Sequence, residues 1–229
     1  MNGVTGARRR VATDAGAGPV TWLRNGRIAY VDTHRRLVVG GRRYAVPRGT
    51  IAVAPDGARI LYTKTCDVWL ANLRTGRVRR FARAGYATAG ASWSPDGTHV
   101  ALGAGWWSNC DDEDYGFDWY HAGTELFDLD GRPLDRVAGG VVGWSRDGRY
   151  LLTAGGVTGT EVGALQPLQL VDVRTRTHST LLPGRSSGEA LVTGDGRIVF
   201  GRYDDPKAFH EGGIPTPREY AGRLITLAG

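Results

Sequence analysis

Short apolar runs alternate with polar residues along the chain, and each run ends at a cluster of Gly, Asp, Asn, Ser or Pro. One junction recurs five times: Trp22-Leu23-Arg24-Asn25-Gly26, Val53-Ala54-Pro55-Asp56-Gly57, Trp93-Ser94-Pro95-Asp96-Gly97, Trp144-Ser145-Arg146-Asp147-Gly148 and Val192-Thr193-Gly194-Asp195-Gly196. Each has a large apolar residue three positions before an Asx-Gly pair. Such a pair between apolar runs predicts a two-residue hairpin turn, because both residues tolerate positive φ. A strand then follows at 27–31, 59–63, 99–103, 149–153 and 197–201. Third strands are predicted at 37–39, 67–73, 124–129, 168–173 and 223–227, and fourth strands at 43–46, 77–82, 133–138 and 179–183.

The turns recur every 31 to 51 residues, the period of a β-propeller. The fold class is therefore all-β: a five-bladed β-propeller of four-stranded blades, in one domain over residues 1–229. The blades fall at about 18–49, 50–86, 87–139, 140–187 and 188–229. The fifth unit runs out of chain before a fourth strand, and an N-terminal strand at 8–14 is expected to supply it and close the ring. Closure removes an exposed sheet edge. Composition agrees with this reading. There are 35 Gly in 229 residues, but without the three-residue period of collagen. Aromatic and branched residues are too frequent for a disordered chain. No apolar run approaches the roughly 18 residues of a membrane span. Trp22, Trp93 and Trp144 share one place in the repeat and are expected in the core between blades.

The string Ser94-Pro95-Asp96-Gly97 followed by Val100-Ala101-Leu102, with the strand Asp67-Val68-Trp69-Leu70-Ala71-Asn72-Leu73, resembles TolB-like repeats, a WD40-like β-propeller family. The resemblance extends over nearly the whole chain. It lacks the Trp-Asp and Gly-His dipeptides of true WD repeats, and one unit alone has the full Ser-Pro-Asp-Gly string. The resemblance implies the fold. For function it implies a protein-binding scaffold or a non-catalytic gating domain, since the family includes both.

The formal net charge is +6, with 29 basic residues that are all Arg except Lys64 and Lys207. They are scattered in pairs such as Arg35-Arg36, Arg42-Arg43 and Arg79-Arg80, not in a contiguous stripe, so nucleic acid is not an expected partner. The stretch 84–131 has no Lys or Arg and nine carboxylates. A basic chain thus carries one acidic segment.

In a blade with strands a to d, the b–c and d–a loops share one face, and the a–b and c–d turns the other. Long connections occur between b and c, in blades three, four and five, and ligand sites favour variable loops on a rigid scaffold. The blade-three insertion, 104–123, holds Trp106, Trp107, Asp111, Asp112, Glu113, Asp114, Tyr115, Asp118, Trp119, Tyr120 and His121. The blade-five insertion, 203–221, adds Asp204, Asp205, Lys207, His210, Glu211 and Tyr220, and His34 lies in the blade-one b–c turn. As a binding set, Trp106, Trp107, Tyr115, Trp119, Tyr120, Asp204, Asp205 and His34 would stack on sugars, flat rings or cations and attract positive charge.

As a catalytic set, Asp111, Asp112, Asp118, His121, His210 and Glu211 would divide acid and base roles, with or without a divalent cation. Calcium suits the oxygen donors, although the acid run lacks the alternation of an EF-hand. Four consecutive acids are equally the pattern of a solvated loop. Gly184-Arg185-Ser186-Ser187-Gly188 matches a nucleophile elbow in letters only, because an all-β chain lacks the strand–turn–helix it needs.

Cys66 precedes strand c of blade two, and Cys110 lies in the blade-three insertion, so the two fall on one face of adjacent blades. They are either a disulfide or two free thiols, and are too few for a structural zinc site. The N-terminus has no apolar segment of a leader, which places the chain in the cytoplasm as it stands; a disulfide would place it outside, after removal of a signal. The expected protein is a monomer without a membrane span. It binds a small molecule or a protein segment through an aromatic-acidic pocket on the b–c face, with an enzyme at the same pocket as the alternative.

Overall fold

The computed structural model describes residues 14–47, 49–64, 67–82, 87–106, 120–154, 168–182, 190–192, 197–200 and 223–226. These residues form strands and turns, with no helix among them. Five antiparallel sheets follow one another along the chain. The first has β1 (Ala15–Trp22), β2 (Ile28–Asp32), β3 (Arg36–Val39) and β4 (Arg42–Ala45). The second has β5 (Thr50–Val53), β6 (Arg59–Lys64), β7 (Asp67–Asn72) and β8 (Val78–Ala82). The third has β9 (Ala87–Trp93), β10 (His99–Trp106), β11 (Tyr120–Asp128) and β12 (Pro133–Val137). The fourth has β13 (Gly140–Trp144), β14 (Tyr150–Ala154), β15 (Leu168–Asp172) and β16 (Thr177–Leu182). The fifth has β17 (Ala190–Val192), β18 (Arg197–Phe200) and β19 (Arg223–Thr226) among the described residues.

Within each sheet the strands pair in chain order, and the leading strands β1, β5, β9, β13 and β17 pack on one another in succession. This radial succession is propeller-like. The core lies between sheets. Ala29, Val31 and Leu37 of the first sheet meet Val53, Ile60 and Tyr62 of the second. Leu61, Val68 and Phe81 of the second meet Trp93, Val100 and Leu102 of the third. Ala101, Leu126 and Val137 of the third meet Trp144, Leu151 and Val171 of the fourth. Middle strands therefore bury both faces: Ile60 points to one neighbouring sheet and Leu61 to the other. That explains why these strands read as unbroken apolar runs.

The a–b turns differ from the two-residue expectation. The Ala54 N–H donates to the Arg59 carbonyl, Ser94 to His99, and Ser145 to Tyr150, so each loop spans four residues. In the first sheet Leu23 donates to Arg27, which leaves three. Only the Gly of each pair takes positive φ, between 64° and 75° for Gly26, Gly57, Gly97 and Gly148. The Asx residue works through its side chain instead. Asn25 Oδ1 accepts from the Arg27 N–H, Asp56 Oδ1 from Ala58, Asp96 Oδ1 from Thr98, and Asp147 Oδ1 from Arg149. The Asx turn fixes the loop, and Gly supplies the left-handed residue.

The shorter first turn also corrects the tryptophan expectation. Val53 pairs with Ile60, Trp93 with Val100 and Trp144 with Leu151, three residues beyond each Gly. In the first sheet the corresponding Ala29 pairs with Thr21, and Trp22 pairs with Ile28. A one-residue slip moves a side chain to the other face of its strand. Trp93 and Trp144 are 7% and 8% exposed, as expected, whereas Trp22 is 66% exposed.

Candidate functional site

The b–c face is described in part. Strands β10 and β11 stay paired to their ends, with Gly105 opposite His121 and Trp106 opposite Tyr120. The segment 107–119 therefore leaves and re-enters at the tip of one long hairpin, with a register irregularity between Ala104 and Gly105. This brings the backbones of Trp106, Tyr120 and His121 together at the base of the insertion. Trp107, Asp111, Asp112, Tyr115, Asp118 and Trp119 lie outside the described residues, as do Asp204, Asp205, His210, Glu211, Cys66 and Cys110. Among the described residues, no group of three or more His, Cys, Asp or Glu is placed to hold a metal ion.

His34 is exposed in the blade-one b–c turn, and its backbone N–H donates to Asp32 Oδ1 at 2.9 Å. Asp32 is 1% exposed and also accepts from the Arg36 N–H at 2.8 Å and from Arg36 Nε at 3.0 Å. Arg43 lies between two carboxylates, 3.5 Å from Asp32 Oδ2 and 3.1 Å from Asp14 Oδ2. The Tyr30 hydroxyl donates to Asp14 Oδ1 at 2.7 Å. Burial pushes the Asp32 carboxyl up, but the Arg36 N–H, the Arg36 guanidinium and the His34 N–H outweigh it and hold the group below its usual range. Asp14 is lowered by the Tyr30 hydroxyl first and Arg43 second. This network shapes the rim beside His34 and keeps its acids ionised.

A second concavity lies at the opposite end of the leading strands, where the a–b turns gather. It has a volume of about 580 Å³ and is bounded by β1, β5 and β9, by Pro55 and Pro95 of the next two turns, and by Arg146. Arg24 reaches across from the first turn, with its N–H on the Pro55 carbonyl at 3.1 Å and its Nε on the Pro95 carbonyl at 3.1 Å. Trp22 and Val20 line it and are 66% and 61% exposed. The repeat alignment hides this wall, because it places Trp22 with the buried tryptophans. The available signal is Leu23, which stands where the other described turns have Ala54, Ser94 or Ser145 and is itself buried.

No family model matches the chain, and no curated protein does. Solved structures do. An acylaminoacyl peptidase from Pyrococcus horikoshii matches at 13% identity with a TM-score of 0.51, over 78% of this chain and 34% of that one. TolB from Acinetobacter baumannii matches at 18% identity and 0.48, over 81% of this chain and 52% of that one. Hydrazine synthase from Kuenenia stuttgartiensis matches at 15% and 0.49, over 87% of this chain and 60% of that one. The likeness is one of fold, and its weight rests on the peptidase match together with the order of the sheets. This chain spans 60% or less of each of those proteins. Among the described residues, no helix is long and apolar enough to cross a membrane.

Proposed function

We propose that the chain is a binding β-propeller of five blades that presents the insertion between β10 and β11 to a cationic or polyhydroxylated small molecule, or to a protein segment of that character. The observation that supports this reading is the pairing of Trp106 with Tyr120, which continues the β10–β11 ladder up to both ends of the aromatic and acidic segment 107–119. A loop whose two ends are held together by strand pairing has less freedom to lose when it binds a ligand. The charge of that segment is distinctive. Asp32, Asp56 and Asp172 are each paired with an Arg, while residues 107–119 hold Asp111, Asp112, Glu113, Asp114 and Asp118 and no Lys or Arg. Calcium is the cation such oxygen donors suit.

The test is to replace 107–119 by Asn-Gly and titrate the parent and the shortened protein with a lysine-rich peptide, maltotriose and calcium by calorimetry. The reading expects saturable heat from at least one probe with the parent, none with the shortened protein, and melting temperatures within about 3 °C of each other. Equal binding by the two proteins, or no saturable binding by the parent, overturns it.

A further inference from the structure

The concavity at the a–b turns differs in chemistry from the b–c face. Among its described lining residues there is no carboxylate, and there are two arginines, Arg24 and Arg146. Five arginines elsewhere among the described residues are paired with acids: Arg36 and Arg43 with Asp32, Arg59 with Asp56, Arg80 with Asp67 and Arg149 with Asp172. Arg146 is exposed and has no hydrogen-bond or ion-pair partner among the described residues. Among the described residues the Arg24 guanidinium bonds to the Pro95 main-chain carbonyl, which orients the side chain without cancelling its charge. Two guanidinium groups with no ion-pair partner among the described residues thus border one concavity, where each can make charge-assisted hydrogen bonds to an anion. The turn carboxylates Asp96 and Asp147, next in sequence to Pro95 and Arg146, are engaged with their own turns.

The apolar wall is equally unusual. Three large hydrophobic side chains are exposed among the described residues, Val20, Trp22 and Val78, and two of them line this concavity. Leaving an indole about two-thirds in water forgoes burial that a core position would provide. Pro19, Pro55 and Pro95 stiffen the walls around it, and the volume lies in the range of small-molecule pockets. A flat ring is the body that an exposed indole accepts best.

We infer that this concavity binds a small aromatic anion, with Arg24 and Arg146 holding the negative group and Trp22 receiving the ring. The site lies on the face opposite the β10–β11 insertion and stands independently of it. Carboxylate and phosphate share the required chemistry, so benzoate and phenyl phosphate serve as probes, with benzyl alcohol and inorganic phosphate as controls that lack the charge or the ring.

Binding is read by calorimetry and by the indole N–H resonance of Trp22, identified by its loss in Trp22→Phe. The inference expects saturable binding of benzoate or phenyl phosphate that moves that resonance, with each control at least tenfold weaker. Preference between the two aromatic probes names the anion. Arg146→Gln should weaken binding at least tenfold without changing the melting temperature, because Arg146 supports no other group. Trp22→Ala should weaken it as much. Absence of saturable binding by both aromatic anions, or unchanged affinity in both Arg146→Gln and Trp22→Ala, overturns the site.

Discussion

Trp22 and Trp93 hold one place in the sequence repeat and opposite places in the fold. Trp93 packs between the second and third sheets beneath the Arg59 guanidinium, 5.0 Å from its ring centre, while Trp22 lines the concavity at the a–b turns. Trp93→Ala should therefore lose about 3–5 kcal/mol of stability, as buried aromatics do, and Trp22→Ala less than about 0.5 kcal/mol. Urea denaturation of the two variants checks this contrast. The carboxylates give a second outcome at this scale. Burial pushes the Asp172 carboxyl up, but the N–H groups of Thr175 and Arg174 and the Arg149 guanidinium, with its Nη2 2.9 Å away, lower it further. Asp14, Asp32, Asp96 and Asp147 are lowered too. A group lowered on folding stabilises the native state above its unfolded value, about 3.9 for Asp, and that stabilisation is lost as pH falls through the folded value. The urea midpoint should stay level from pH 7 to about 5 and then fall steeply below about 4. In Asp172→Asn the fall should be shallower.

Strands were the legible part of the sequence because burial on alternate faces leaves a pattern that backbone geometry cannot escape. The runs at 59–63, 67–73 and 133–138 match β6, β7 and β12 within a residue at each end. Turn length was not legible. Asx-Gly closes a three-residue loop after Leu23 and a four-residue loop after Ala54, and the difference rests on main-chain bonds that residue identity does not announce. Glycines separate in the same way. Gly41 and Gly131 have nearly equal φ, 83° and 82°. A Cβ on Gly41 meets open space, whereas one on Gly131 would collide with the Phe81 carbonyl of the neighbouring sheet. Gly41→Ala should cost about 1 kcal/mol, the strain of a left-handed residue. Gly131→Ala should cost about 3 kcal/mol, since the turn after β11 must also move away from β8. Chemical denaturation of the pair separates conformational strain from collision.

At the scale of the molecule, the candidate site was legible as composition and not as geometry. A segment with nine carboxylates and no basic residue is visible in a sequence, whereas the concavity beside Trp22 depends on how three turns converge. Ring closure is the remaining question of architecture, and the first sheet bears on it. That sheet already has four strands of its own, β1 to β4, so residues before Asp14 are not required to complete it. Continuous pairing of β1 with β2 runs from Val20 to Trp22, preceded by a register irregularity after Ala15. β1 nevertheless begins at Ala15, opposite Asp32, and the Asp14 carbonyl accepts from the Thr33 N–H, so the chain enters the first sheet at Asp14. The fifth sheet, ordered β17-β18-β19, is the one with three described strands. A strand at 8–14 pairing with β19 would close the ring between first and last sheets. Proline removes a ladder donor, so Val11→Pro should break this pairing while Thr5→Pro, outside the strand, should not. For a chain of this size about 2 kcal/mol corresponds to a fall of roughly 4–8 °C in melting temperature. Differential scanning calorimetry should show that fall in Val11→Pro and an unchanged transition in Thr5→Pro; equal melting of the two variants would mean that the ring closes without this strand.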